Sequence, residues 1–342
     1  MSYTRRRLLA VAAAGGAGLS GCLSNQDPGD GNGGGAGFTA EASFSVIYDF
    51  ARNVVPDGAE ANNLVPFGQH GHGWSPSPDV QRSVMSADAF VYVLEDFQPW
   101  ADDMVANIEQ DSPETETIEA GEDVDLLGAD YSHDEEGGHE EHDEGDEGSH
   151  GEEHEDGHNN DEGHDHGGTN PHFWLDPLRA KTAVRTIADG LAEAHGEDGY
   201  TENADEYASR LDELDTEFES SLGDGSKDAV LVAGHDAFAY LGERYGFRVE
   251  TLTGVSPDEE PSPDDIQRAQ ELIDDEGIEY VLSPVFESDT AAQSLVEDTT
   301  ADEVLPITAF AGFSEEWLEN DWGYIEVMEN VNLSSLERAL DA

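Results

Sequence analysis

The stretch Ala229–Leu252, AVLVAGHDAFAYLGERYGFRVETL, decides the fold. Ala229 to Ala233 is an apolar, β-rich run. Ala237 to Tyr245 is helical, and Phe247 to Leu252 is again strand-like. Strand, helix and strand in so short a space describe a βαβ unit, and such units stack into parallel sheets. The second half repeats the pattern, with strands at Tyr280–Leu282 and Val304–Ile307 and helices starting at Pro263 and Asp289. The first half runs in parallel with it. Phe44–Tyr48 reads as a strand, Ala61–Phe67 leads into a loop, and Pro78–Ser86 reads as a helix. Ala89–Leu94 is a strand and Trp100–Ile108 an amphipathic helix. The expected fold is therefore α/β, with two βα lobes built on parallel sheets.

Two helical stretches lie between the lobes. One is Leu178–His195. The other carries Ala204, Tyr207, Leu211, Leu214, Phe218 and Leu222 at spacings of three and four, a continuous apolar stripe. A helix from Glu202 to Leu222 would be about 30 Å long at ~1.5 Å per residue, enough for a stiff spine through both lobes.

The chain has 342 residues, with 79 acids against 14 bases and a formal net charge of −65. A nucleic-acid partner is excluded by that balance, because phosphate binding needs a basic surface. The recurring apolar segments argue against disorder, so the acids are read as a surface coat. Halophilic proteins stay soluble in this way where salt screens the charges. At the N-terminus, TRRRLLAVAAAGGAGLSGC places Arg5, Arg6 and Arg7 before an apolar run too short to span a bilayer. It reads as a twin-arginine signal peptide over residues 1–22. It closes on Leu19-Ser20-Gly21-Cys22, which resembles a lipobox. Cys22 is the single cysteine, so disulfides and thiolate metal sites are excluded, and it is the expected lipidation site. Residues 23–40, rich in glycine, are expected to be a flexible linker. The body then divides into a first lobe at 41–178, a helical connection at 179–226 and a second lobe at 227–342.

Thirteen histidines are present, and eight fall in 34 residues: His133, His139, His142, His150, His154, His158, His164 and His166. They sit in an almost wholly acidic and glycine-rich stretch, 131–168, expected to be a disordered loop. Neutral imidazoles on such a chain make many weak metal sites, and the carboxylates concentrate cations around them. The stretch runs directly into the rigid, apolar NPHFWLDP, Asn170–Pro177. His195 ends a helix and is read as structural through the helix dipole. Three others stand apart. His72 lies in HGHGWSPSPD, His172 between Pro171 and the helix after Pro177, and His235 straight after a strand. In α/β lobes, ligands collect at the carboxyl ends of strands. A metal held by all three would sit in the cleft between lobes.

Three segments carry a family resemblance. They are His72-Gly73-Trp74-Ser75-Pro76-Ser77-Pro78, Asn170-Pro171-His172-Phe173-Trp174-Leu175-Asp176-Pro177, and His235-Asp236-Ala237-Phe238. With Gly254-Val255-Ser256-Pro257, they resemble the zinc-binding lipoproteins of ABC importers, the ZnuA-like cluster A-I of metal solute-binding proteins, here in a haloarchaeal-type acidic form. The resemblance covers roughly 44–340. It implies metal bound between two lobes joined by a long rigid helix, with His72, His172 and His235 as ligands and a histidine-rich loop before the second. It also implies permease and ATPase partners, a monomer, and a place on the outer face of the cell membrane, anchored through lipidated Cys22. Relatives with four protein ligands use a late Asp, but the matching Ile307-Thr308-Ala309-Phe310 has no carboxylate. Three imidazoles without an acid favour Zn²⁺ over Mn²⁺. Water, His70, Glu287 or a loop histidine could fill the fourth position. A zinc hydrolase is the rival class, since three histidines with an open position also describe a catalytic zinc site. The absence of HExxH and of a placed general base speaks against it. A surface zinc buffer or adhesin is the third class. No nucleotide-binding GxxxxGK loop occurs, so ATP hydrolysis belongs to another chain.

Overall fold

The computed structural model describes residues 37–69, 71, 73–128, 168–196, 199–256 and 259–342. The signal peptide, Cys22, His70, His72 and the eight histidines of 133–166 lie outside them.

Two four-stranded parallel sheets form the framework. The first holds β1 (Thr39–Ala42), β2 (Glu60–Asn63), β3 (Ala89–Tyr92) and β4 (Glu116–Glu119), in the order β2-β1-β3-β4. The second holds β5 (Ala229–Val232), β6 (Arg248–Thr251), β7 (Tyr280–Pro284) and β8 (Glu303–Ile307), in the order β6-β5-β7-β8. The expected α/β fold with two parallel-sheet lobes is what the structure has. Each order reverses direction after its first strand, so each sheet opens a crevice beyond the carboxyl ends of its two central strands.

Phe44–Tyr48 is not a strand. The strand is β1, two residues of which fall inside the expected linker, and α1 (Ser45–Val54) begins three residues after it. Phe44, Ile47, Phe50, Ala51 and Val54 are all fully buried, at spacings of three and four. Only a window of about ten residues shows that period, and the first five alone look β-like. β1 itself is Thr-Ala-Glu-Ala, weak in strand formers, and it is a strand because it is paired on both edges.

Helices α2 (Pro78–Val84) and α3 (Pro99–Asp111) complete the first lobe. Helix α4 (Pro177–His195) packs against α1 and β4. Its N-terminus is capped by the Asp176 carboxylate, which accepts from Leu178 N at 2.8 Å. His195 in its last turn stacks on Phe38 at 4.5 Å and sits 2.9 Å from the Tyr200 hydroxyl through Nδ1.

Helix α5 (Gly199–Leu222) follows; its 24 residues extend about 36 Å. Its first turns belong to the first lobe, where Asn203 Nδ2 donates to the carbonyls of Val54 and Val55, at 3.1 and 3.2 Å. Its later turns belong to the second. There Asp215 accepts from Arg244 Nε and Nη2 at 2.8 and 2.6 Å. Arg244 lies on α6 (Ala239–Tyr245), which α7 (Pro263–Glu276) and α8 (Thr290–Asp298) follow.

The segment after β8 was assigned no element from sequence. It forms α9 (Glu315–Glu319), α10 (Tyr324–Val327), a π-helical turn at Met328–Leu333 and α11 (Ser334–Leu340). It crosses back to the first lobe at Asp49, a fully buried carboxylate on α1. Asp49 accepts from Arg52 Nε at 2.9 Å, the Tyr207 hydroxyl at 3.0 Å and Tyr324 N at 3.1 Å. One side chain thus joins α1, the spine and the C-terminal segment.

Candidate metal centre

Two histidines, one from each half of the chain, meet in the cleft. His235 follows β5 by three residues and is 2 % exposed; His172 precedes a short 3₁₀ turn at Phe173–Leu175 and is fully buried. Their Nε2 atoms stand 3.4 Å apart, with ring centroids at 5.2 Å.

The partners of the other ring nitrogens fix which nitrogen of each ring carries the proton. Nδ1 of His172 lies 2.9 Å from Asn170 Oδ1. That oxygen also accepts the backbone N–H of His172 at 3.1 Å, while Asn170 Nδ2 donates to the Asp236 carbonyl at 3.1 Å. Both backbone partners are unambiguous, so the amide has only this orientation, and Nδ1 of His172 must be the donor. Nδ1 of His235 lies 2.6 Å from Glu287 Oε1, again an acceptor. Each Nε2 therefore presents its lone pair to the same point. Two nitrogens bound at ~2.0–2.1 Å to one tetrahedral ion would be about 3.3–3.4 Å apart, the separation found here.

Glu287, named above as a fourth-ligand candidate, is brought to the site on the Nδ1 side of His235. There it orients the ring. Among the described residues, no group of three His, Cys, Asp or Glu gathers around one point.

Rigid packing holds His172 in place. Phe173, Trp174 and Leu175 are fully buried. Trp174 packs edge-on against the His172 ring at 5.4 Å, and its Nε1 donates to the Ala309 carbonyl at 2.7 Å. Ala309 lies in the Ile307–Phe310 stretch, which carries no carboxylate. Asn332, on the π-helical turn, holds this stretch by exchanging two 2.9 Å bonds with the backbone of Thr308. Phe310 beyond it is left-handed, with φ of 54°, and fully buried.

A strap of main-chain bonds joins the segment after β2 to the segment after β8. Gly68 N donates to the Phe313 carbonyl at 2.9 Å and Gly71 N to the Ala311 carbonyl at 3.1 Å. A side chain on Gly71 would run into the Phe44 ring, and one on Gly312 would meet the Gln69 carbonyl at 2.6 Å. A cavity of about 930 Å³ lies alongside, lined by Gly73, Gly234, Thr253, Glu259, Glu260 and Glu287 among others.

A model of the family described as zinc-uptake complex component A, periplasmic (ZnuA), matches residues 41–339. The chain belongs to the ZnuA family. The zinc-binding protein AdcA of Streptococcus pyogenes is 29 % identical over 301 residues, covering 87 % of this chain and 55 % of AdcA. This chain thus spans about half the length of that relative. The high-affinity zinc uptake system protein ZnuA of Bacillus subtilis is 28 % identical over 304 residues, covering 87 % of this chain and 86 % of that protein. Among solved structures, the Zn(II)-bound ZnuA-like domain of Streptococcus pneumoniae AdcA superposes with a TM-score of 0.69 at 25 % identity, over 90 % of this chain and all of that one. The ZnuA family is described as a periplasmic component of zinc uptake.

Of the residues singled out in the sequence, His172, His235 and Glu287 come together here, and His195 lies apart, in contact with Phe38 and Tyr200. Asn170 was not singled out. Its one signal was its place two residues before His172. Leu127 and Gly128 lie beside this site: Gly128 bridges Thr169, and Asn170 N donates to the Leu127 carbonyl at 2.8 Å.

Proposed function

We propose that this chain captures Zn²⁺ outside the cytoplasm and delivers it to the permease of an ABC importer, whose ATPase supplies the energy. The observation that carries the reading is the pair of Nε2 atoms 3.4 Å apart, each ring oriented through Nδ1 by an oxygen acceptor. Neutral imidazole with its second nitrogen so bonded is the usual form of a zinc-binding histidine. The zinc-binding role of the AdcA relative and the zinc-uptake role of the ZnuA relative support it. In this reading His72 supplies the third nitrogen, water or His70 the fourth position, and the eight histidines of 133–166 bind further zinc weakly. Lipidation at Cys22, after export by the twin-arginine route, holds a monomeric, acid-coated body at the outer face of the membrane. The lipoprotein name of a pneumococcal relative supports the anchor. Lobes tied by a spine suit capture and release, with no step of catalysis.

The test is zinc competition titration in high salt. His172→Ala should weaken the tight site by more than about a hundredfold, beyond the ~10–100-fold typical of outer partners. His195→Ala should leave it unchanged. Equal losses from both would overturn the assignment.

A further inference from the structure

Asn170 is 1 % exposed and touches both histidine-bearing segments. Its oxygen takes Nδ1–H and the backbone N–H of His172. Its nitrogen reaches the other lobe, to the carbonyl of Asp236, next in chain to His235. Nearby, Tyr240 on α6 donates to the Asn170 carbonyl at 2.6 Å and accepts from Leu127 N at 2.9 Å, so the contact between lobes is continuous here. A carboxylate in place of the amide could still accept from the imidazole. It could not donate, and it would set a negative charge against the Asp236 carbonyl. The two functions therefore need an amide.

We propose that Asn170 is a positioning residue. One end of its amide sets the tautomer of His172, and the other ties that ring to the His235 loop. Both imidazoles are thereby aimed at one point before zinc arrives. The cost of ordering the two lobes is met in the metal-free protein, which leaves more of the binding energy for affinity. The inference rests on the zinc reading for its affinity arm; its tautomer arm is independent of it.

The experiment compares wild type, Asn170→Asp and Asn170→Ala in the full chain. Zinc affinity is measured by chelator competition, and long-range ¹H–¹⁵N histidine spectra are recorded without metal. Wild type should show His172 as the Nδ1–H tautomer. Asn170→Asp should keep that signature yet bind zinc more weakly, because the tie to Asp236 is lost. Asn170→Ala should show mixed tautomers and lose about 10–100-fold in affinity. The proposal is overturned if Asn170→Asp binds as tightly as wild type or tighter. It is overturned equally if Asn170→Ala keeps both the tautomer and, within about twofold, the affinity. Should Asn170→Ala fail to fold by circular dichroism, the near-isosteric Asp variant decides alone. If wild type binds no zinc through these histidines, the zinc reading fails, while the metal-free spectra still decide the positioning role.

Discussion

The two sheets share one strand order, but their central strands differ in almost every residue. β5 is Ala-Val-Leu-Val; β1 is Thr-Ala-Glu-Ala. Where β5 carries Leu231, β1 carries Glu41, only 6 % exposed and accepting from the Ser83 hydroxyl at 2.7 Å. The crevices at their carboxyl ends differ in use. In the second lobe, β5 leads to His235 and β7 to Glu287, which face each other across it. In the first, β1 leads to Ser43, whose hydroxyl donates to Gln98 Oε1 at 2.7 Å and whose carbonyl accepts from Gln98 Nε2 at 3.2 Å. A neutral clamp plugs that crevice, and His172 arrives from a separate, packed turn. Topology marks where a ligand can bind; side chains decide whether it does. The second lobe thus carries a donor directly after a sheet strand, while the first delivers His172 from a packed turn and uses its sheet for support.

The largest test of that division is Asp49→Ala. It strands Arg52 and removes acceptors from Tyr207 and Tyr324, so denaturation in constant high salt should show a loss of about 3–5 kcal/mol. A cost under about 1 kcal/mol would mean that the first lobe is not held together at this hub. Glu287→Ala should act on the other side of the division. Zinc affinity should drop about 10–100-fold with little change in unfolding midpoint; a large midpoint shift with unchanged affinity would reverse the roles. Gln98→Ala leaves the buried Ser43 hydroxyl without its acceptor and should lower stability by about 1–2 kcal/mol. It should not move zinc affinity, and if it does the plug is part of the site.

The smallest effect is that of Glu41→Gln. Burial raises the Glu41 carboxyl above its ordinary value, opposed by hydrogen bonds from Ser83 and Asn62. A raised carboxyl contributes stability below its unfolded value that is lost as pH rises through the folded one. The Gln variant should therefore be the more stable protein at pH 7. Its advantage should shrink as pH falls toward about 4. An advantage independent of pH would point to packing instead of charge.

The same contrast explains what could be read in advance. β5 announces itself by an unbroken apolar run, and β6 by Val249 alternating with Arg248 and Glu250. β1 does not, because its strand character comes from neighbours 21 and 49 residues further along, Ala61 and Ala89, which pair with Ala40 on its two sides. α9 to α11 were missed for a related reason: they are short, and partners such as Asp49 lie far back in the chain. His172 and His235 were legible as residue types in unusual settings. The role of Glu287 was not, since it turns on which ring nitrogen the carboxylate meets, a matter of ångströms between residues 52 apart. Asn170 was hidden further still, because its two partners lie in different lobes.

The strap between Gly68–Gly71 and Ala311–Phe313 has a consequence for sequence drift. Its hydrogen bonds run from main chain to main chain, so side-chain replacements other than proline at Gly68 or Gly71 leave their donors and acceptors in place. Phe67 beside it is 54 % exposed but packs edge-on against the Phe313 ring at 5.6 Å, so an exchange there would remove a ring contact from the strap. Its vulnerability lies at Gly71 and Gly312, where even a methyl group would strike Phe44 or the Gln69 carbonyl, and at Gly68, whose φ of 79° disfavours any side chain. The join between these two segments is thus insensitive to most side-chain changes and brittle at three glycines.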